Sequence, residues 1–257
     1  MVNIKSKEEI QIMKEGGSIL AKILKELSSA VKPGVSTQDL DKLAEELVFK
    51  FGARPAFLNY GGFPAVLCTS VNDEIVHGLP SERKLEEGDV LKLDMGVLYK
   101  GFNTDSAVTV LVSNKSKLSH IFKKEYSRKL RLMSITRKAL EIGIKQAQVG
   151  NTLGDIGSAI QKYVEQERLG VVRDLVGHGI GRELHEPPQV PNYGKAGTGE
   201  KLVPGMVIAI EPMVVTDDWK IKEGDDGFVF QTKDGGLAAH FEHTIAITEK
   251  GPLILTL

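Results

Sequence analysis

The chain repeats itself. Lys84-Leu-Glu-Glu-Gly-Asp-Val-Leu-Lys-Leu-Asp94 lines up with Lys201-Leu-Val-Pro-Gly-Met-Val-Ile-Ala-Ile-Glu211 at a spacing of 117 residues, with four identities, and the last position sets an aspartate against a glutamate. A second match falls at a spacing of 116: Gly34 with Gly150, Ser36 with Thr152, Asp39 with Asp155, Leu40 with Ile156 and Val48 with Val164. Two matches in the same order at nearly one spacing mark an internal duplication. Each half reads as helix, helix, strands, acidic strand. Two such halves about a pseudo-twofold axis would bring their acidic strands together at the centre. The expectation is one α+β domain over residues 1–257, with halves of about 1–113 and 114–257, rather than two separate domains.

Local signals fill in this frame. Ser6 with Glu9 is a capping box that opens a helix to about Ala30, with Ile10, Met13, Ile19, Leu20, Ile23 and Leu27 at helical spacing. A second box, Ser36 with Asp39, opens a helix carrying Leu40, Leu43, Leu47 and Phe51, closed by Gly52. Further helices are predicted from about Leu118 to Gln146 and, after Thr152 and Asp155, to about Glu167. Val66–Thr69 and Glu74–His77 read as short strands, Asn59–Gly62 as a turn, and the pattern beyond Val171 is again β.

The acidic strand of the first half continues into a hairpin. Leu91, Leu93 and Val97 precede a turn at Lys100-Gly101, and Ala107, Val108 and Val110 follow it. An even loop puts Asp94 and Asp105 on one face, opposite or diagonal to each other, roughly 5–8 Å apart at Cβ. Two like charges so placed repel unless a cation sits between them. Taken alone the pair reads equally well as two solvated aspartates beside a turn.

The second half adds His178 in VGHGIG, Glu211 in AIEPM and Glu242 in HFEHT. Carboxylates inside such apolar strands are costly unless paired or metal-bound. Singly, each glutamate also fits a strand end or a salt bridge, and His178 fits a loop. Together, four carboxylates and one imidazole could supply a site for two divalent ions, and hard oxygen with one nitrogen suits Mn²⁺, Fe²⁺, Co²⁺ or Zn²⁺.

Other chemistries fail on their residues. HExxH and GxSxG are absent, and Gly194–Gly199 lacks the lysine of a phosphate loop because Glu200 stands in its place. Cys68, the only cysteine, excludes an internal disulfide and reads as a small buried filler. A net charge of -1 gives no general case for DNA or an anionic membrane, and no apolar run is long enough to span one. The N-terminus lacks the apolar run of a signal peptide, so a reducing, cytoplasmic setting is expected.

The ordered set His77 in IVHGLP, Asp94, Asp105, His178 in GHGIG, His185 in LHEPP, Glu211 in IEPM and Glu242 in FEHT resembles the methionine aminopeptidases of the short, type I bacterial kind, over almost the whole chain. The resemblance implies the pita-bread fold, an antiparallel sheet flanked by helices, and removal of the initiator methionine from nascent polypeptide N-termini when the second residue is small. It implies two divalent metal ions (Co, Mn, Fe(II) or Zn). Asp94 would chelate one ion, Asp105 and Glu242 would bridge both, and His178 and Glu211 would complete the other. Glu211 would also act as general base towards the attacking water. His185 would contact the substrate amide and stabilise the tetrahedral intermediate, and His77 would position the substrate. Tyr60, Phe63, Cys68 and Phe228 would form the methionine pocket. Leu184 stands where such bacterial enzymes usually have an aromatic residue, and Phe228 where tryptophan is common.

A prolidase or X-Pro aminopeptidase of the same fold is the competing reading, although those usually carry a substantial N-terminal domain. A non-catalytic binding protein on this scaffold is a third, against which stands the full ligand set. Lys115 to Arg137 holds eight basic residues against Glu125. The segment reads as a solvated helix face or as a contact with ribosomal RNA. A monomer is expected.

Overall fold

Helix starts follow the capping boxes. The computed structural model describes residues 2–114 and 122–257 and, among them, four α-helices: α1 (Lys7–Ala30), α2 (Thr37–Lys50), α3 (Phe122–Gln146) and α4 (Leu153–Gln166). Ser6 and Glu9 cap α1 reciprocally, as Ser36 and Asp39 cap α2. At α4, Asp155 Oδ2 accepts from both the N–H of Thr152 at 2.7 Å and its hydroxyl at 2.8 Å. The expected start of α3, Leu118, lies outside the described residues.

Several residues matched between the two stretches make the same backbone contacts. Ser36 bridges Lys84 in the first half, and Thr152 bridges Lys201 in the second. The Gly34 N–H donates to the Leu85 carbonyl at 2.8 Å, and the Gly150 N–H to that of Leu202 at 3.2 Å. Gly34 and Gly150 hold left-handed φ values of 90° and 92°, which glycine alone adopts freely, so the residues matched in sequence make the same turn. Arg54-Pro55 pairs with Leu98 and Val97, while Gly170-Val171 pairs with Val215 and Val214.

All strand pairs described are antiparallel. Val90–Tyr99 lies between Arg54–Pro55 and Cys68–Val71 and also pairs with Phe102–Leu111. In the second half a five-stranded sheet runs Gly251–Ile254, His243–Thr248, Val207–Ile210, Gly177–Gly179, Glu186–Val190. Helices α1 and α2 pack on each other, and α1 covers the hairpin with Met13, Leu20, Ile23, Leu24 and Leu27 buried. Helices α3 and α4 pair likewise in the second half, α4 burying Leu153, Ile156, Ile160 and Val164. One apolar cluster centres on the first half and takes in Ile180, Leu184, Val207, Ala246 and Leu255, a second is built from the second half, and a third joins Ile75 and Val76 to Val172, Met213, Val215 and Ala238. Among the described residues no helix is long and apolar enough to cross a membrane.

Of the basic segment, Lys115 and Lys117 and the side chains of Lys123 and Lys124 lie outside the described residues. Three of the remaining charges are engaged within the protein. Lys129 Nζ donates to the Gly88 carbonyl at 2.6 Å, Arg131 pairs with Glu167 at 2.7 Å, and Arg137 lies 4.9 Å over the Phe241 ring.

The halves meet where the second hairpin strand runs beside residues 240–244. The Glu242 N–H donates to the Ala107 carbonyl at 3.0 Å, and Ser106 Oγ donates to the Glu242 carbonyl at 2.8 Å. Thr244 Oγ1 accepts from the Asp105 N–H at 2.9 Å and donates to the Asp105 carbonyl at 2.8 Å. Hydroxyls thus replace backbone rungs and set Asp105 against Glu242. Thr244→Val keeps the side-chain shape but leaves the buried N–H and carbonyl of Asp105 unpaired. It is expected to destabilise the fold by about 1–3 kcal/mol in urea unfolding. A midpoint unchanged from the parent would show that the hydroxyl does not hold the seam.

Candidate metal centre

Lys100 and Gly101 take φ values of 48° and 84°, the left-handed pair of a two-residue hairpin turn. That turn fixes the register. Asp105 stands opposite Gly96, so Asp94, two residues along, is its diagonal neighbour on the same face. Both side chains are buried, Asp94 at 7% exposure and Asp105 at 3%. The reading as two solvated aspartates is therefore set aside.

His178 is not on a loop but on the strand Gly177–Gly179, beside Val207–Ile210. Its flanking glycines answer a steric demand. A Cβ at Gly177 would collide with the Ala209 carbonyl, and one at Gly179 with that of Pro187. His178 Nδ1 stands 2.9 Å from the Gly179 carbonyl and donates to it, which turns the Nε2 lone pair outward. Nε2 lies 3.6 Å from Glu211 Oε1. Glu211 follows the strand Val207–Ile210, and its carbonyl accepts from Asn192 Nδ2 at 3.0 Å.

These groups converge. One donor atom each from Asp105, His178 and Glu242 fall within 4.8 Å of one another. All twelve residues singled out in the sequence line one cavity of about 560 Å³, with Asp94, Asp105, His178, Glu211 and Glu242 among its polar lining. Tyr60, Phe63, Cys68, Leu184 and Phe228 line it with apolar surface. Phe63 and Phe228 meet edge to face at 5.6 Å, and Asp226 Oδ1 holds the N–H groups of Phe228 and Val229 at 2.9 Å each. The His185 ring packs edge-on against His178 at 4.1 Å and Tyr60 at 5.1 Å. His77 sits in a left-handed conformation, φ 58°, against Phe230. Cys68 is paired with Asp94 across the sheet, and burial pushes its thiol well above the ordinary range, so it is a neutral wall rather than a nucleophile.

The electrostatics call for a cation. Burial, with mutual repulsion added, raises Asp94, Glu211 and Glu242 well above the ordinary carboxyl range, and burial brings Asp105 to about 7. Asp94 Oδ1, Asp105 Oδ1 and Glu242 Oε1 are buried without a hydrogen-bond partner among the described residues. Lys92, buried on the face of Asp94, gives its Nζ to the carbonyls of Asn72, Val90 and Ala238 instead. Orphaned hard oxygens and one oriented imidazole nitrogen fit a divalent ion of the first transition row.

One residue escaped the sequence reading. His240 is buried beside the centre, with Nε2 3.5 Å from Glu211 Oε2 and Nδ1 4.0 Å from Asp94 Oδ2. The only signal was its place two residues before Glu242, on the same side of an extended segment.

The sequence model of metallopeptidase family M24 matches residues 11–249. A methionine aminopeptidase of Clostridium acetobutylicum is 46% identical over all of this chain and 99% of its own length. The crystal structure of methionine aminopeptidase from Thermotoga maritima superposes with a TM-score of 0.93 at 44% identity, covering 100% of this chain and 99% of that one. A prolidase from Pyrococcus horikoshii gives 0.76 at 25% identity, covering 99% of this chain and 63% of that one. The chain belongs to metallopeptidase family M24. Within it the chain falls among the methionine aminopeptidases and shares their pita-bread fold.

Without metal, the raised carboxyls hold protons that the unfolded chain would release, so stability falls as pH rises through their folded values. His178 and His240, each brought to about 3 by burial, act in the opposite sense only below the ordinary imidazole value of 6.5. Lys92, brought to about 7, offsets one carboxyl above that pH. Metal-free protein should lose stability as pH rises from about 7, wherever more raised carboxyls still hold protons than Lys92 can offset. Mn²⁺ should remove the trend. Thermal unfolding with and without the ion measures it, and a metal-free midpoint that climbs over this range would contradict the picture.

Proposed function

We propose that the protein removes the amino-terminal methionine from newly made polypeptides with a small second residue, by attack of water on the first peptide bond. The observation that carries this reading is the buried carboxylate cluster sharing one cavity with an apolar pocket. Asp94 would serve one ion, Asp105 and Glu242 would be shared by two, and His178 and Glu211 would serve the second. Two divalent ions bound there (Co, Mn, Fe(II) or Zn) would supply the Lewis acidity that makes water a nucleophile at neutral pH.

The chain's own groups do the rest. Glu211 takes the proton of the attacking water as general base. His185 donates to the oxygen of the scissile amide as negative charge develops there. His77 holds the substrate backbone. Tyr60, Phe63, Cys68 and Phe228 receive the methionine side chain, whose thioether packs well against aromatic edges. The free α-amino group of the peptide would complete the coordination of one metal, which restricts cleavage to the first residue.

A single catalytic domain over residues 1–257 in two halves, acting as a monomer in the cytoplasm, completes the proposal. Contact with the ribosome through Lys115–Arg137 is part of the proposal; Lys129, Arg131 and Arg137 have intramolecular partners, but Arg131 and Arg137 remain exposed. Changing Lys123, Lys124 and Arg128 to Glu should weaken co-sedimentation with ribosomes at low salt, and unchanged co-sedimentation would discard that contact.

Met-Gly-X peptides assayed beside X-Pro peptides with each ion should give turnover of the former. Cleavage of X-Pro alone, or of neither with any ion, would overturn the assignment. Glu242→Ala should lose at least one equivalent of metal and more turnover than the about 100-fold typical of outer-shell changes. Full metal content in that variant would refute the shared-ligand role.

A further inference from the structure

His240 closes the strand Ala238–His240, and its backbone is over-determined. Thr109 Oγ1 donates to its carbonyl at 2.6 Å and accepts from its N–H at 2.9 Å, and the residue pairs with Met213 across the sheet. On the same strand the Ala238 carbonyl accepts from Lys92 Nζ at 3.3 Å. The ring by contrast has nothing: among the described residues neither Nδ1 nor Nε2 has a hydrogen-bond partner, at 1% exposure. An imidazole held there only to fill space would bury two unpaired polar atoms that an apolar side chain would not.

A carboxylate oxygen stands within 4.0 Å of each ring nitrogen. Nε2 lies 3.5 Å from Glu211 Oε2, while His178 Nε2 lies 3.6 Å from Glu211 Oε1, so the Glu211 carboxylate is set between two imidazoles. Nδ1 lies farther from its oxygen, 4.0 Å from Asp94 Oδ2. His240 does not line the cavity. Carboxylate oxygens accept N–H; they do not accept a lone pair. A neutral imidazole has one N–H to give, and the shorter distance directs it to Glu211.

We infer that His240 is a positioning residue for Glu211: its Nε2–H, 3.5 Å from Glu211 Oε2 and without another partner, is the donor that closes on that oxygen and fixes the carboxylate plane, so that Oε1 is presented on the His178 side. The inference rests on the role proposed above for Glu211. A glutamate that must both serve an ion and take a proton gains from a locked rotamer, because a misplaced base slows the chemical step more than it weakens substrate binding. His240 touches neither substrate nor ion in this arrangement.

The test uses the full-length, metal-loaded protein and three variants. The amide nitrogen of His240→Gln reaches about as far as Nε2, that of His240→Asn only as far as Nδ1, and His240→Leu has neither. Leu and Asn should lower kcat by about 10- to 100-fold with KM and metal equivalents per chain unchanged, and Gln should recover most of the loss. Histidine-selective ¹⁵N NMR of the zinc-loaded parent, with the His240 signals identified by their absence in the Gln variant, should show Nε2 protonated and Nδ1 bare. Full kcat in the Leu variant, loss of a metal equivalent there, failure of Gln to recover what Asn loses, or a proton on Nδ1 would each overturn the inference. A parent inactive on methionyl peptides with every ion would instead overturn the proposed reaction, while the NMR result would still decide the hydrogen bond.

Discussion

Four carboxyl groups share one buried space, and most of the fold can be understood as the means of keeping them there. Each would lose several kcal/mol of hydration if ionised alone in such surroundings, and each makes its neighbours worse. The protein offers them little charge of its own, since Lys92 is occupied by backbone carbonyls and both His178 and His240 are held neutral by burial. A fold that concentrates acids without a protein counter-charge is built around a cation.

The matched stretches place one acidic strand in each part of the chain. Helix α1 lies on the hairpin that carries Asp94 and Asp105, and α3 lies on strands of the second part, with apolar clusters beneath them. The two parts meet where the second hairpin strand runs beside residues 240–244. Hydroxyls from Ser106, Thr109 and Thr244 stitch that seam, and each of these rungs also orients a residue of the polar centre: Glu242, His240 and Asp105 in turn. Structural hydrogen bonding and site geometry are thus the same set of contacts, and the seam is a place where a polar substitution made for one purpose disturbs the other.

Much of this was legible from the residues alone. The capping boxes at Ser6, Ser36 and Thr152 act locally and locate helices without tertiary knowledge. The Lys100-Gly101 turn carries its own register, so the shared face of Asp94 and Asp105 followed from counting, and the observed pairing makes them diagonal neighbours. The repeat supplied the long-range part, which local propensity cannot. What stayed hidden depended on packing. His178 taken singly fitted a loop as well as a ligand, because glycines usually mark turns, whereas here they permit backbones to approach. His240 was invisible because its importance lies in what its ring faces, Asp94 and Glu211, which stand 146 and 29 positions away in the chain. The engagement of Lys129, Arg131 and Arg137 with groups inside the protein likewise could not be read from a run of charges.

Asp94, Asp105, His178, Glu211 and Glu242 are proposed to hold a pair of cations. Anomalous diffraction from crystals grown with Mn²⁺ tests it most directly. Two peaks about 3.5–4 Å apart, with Asp105 and Glu242 reaching both, are the expected result. A cavity without a peak, or an ion held by residues outside this set, would contradict it.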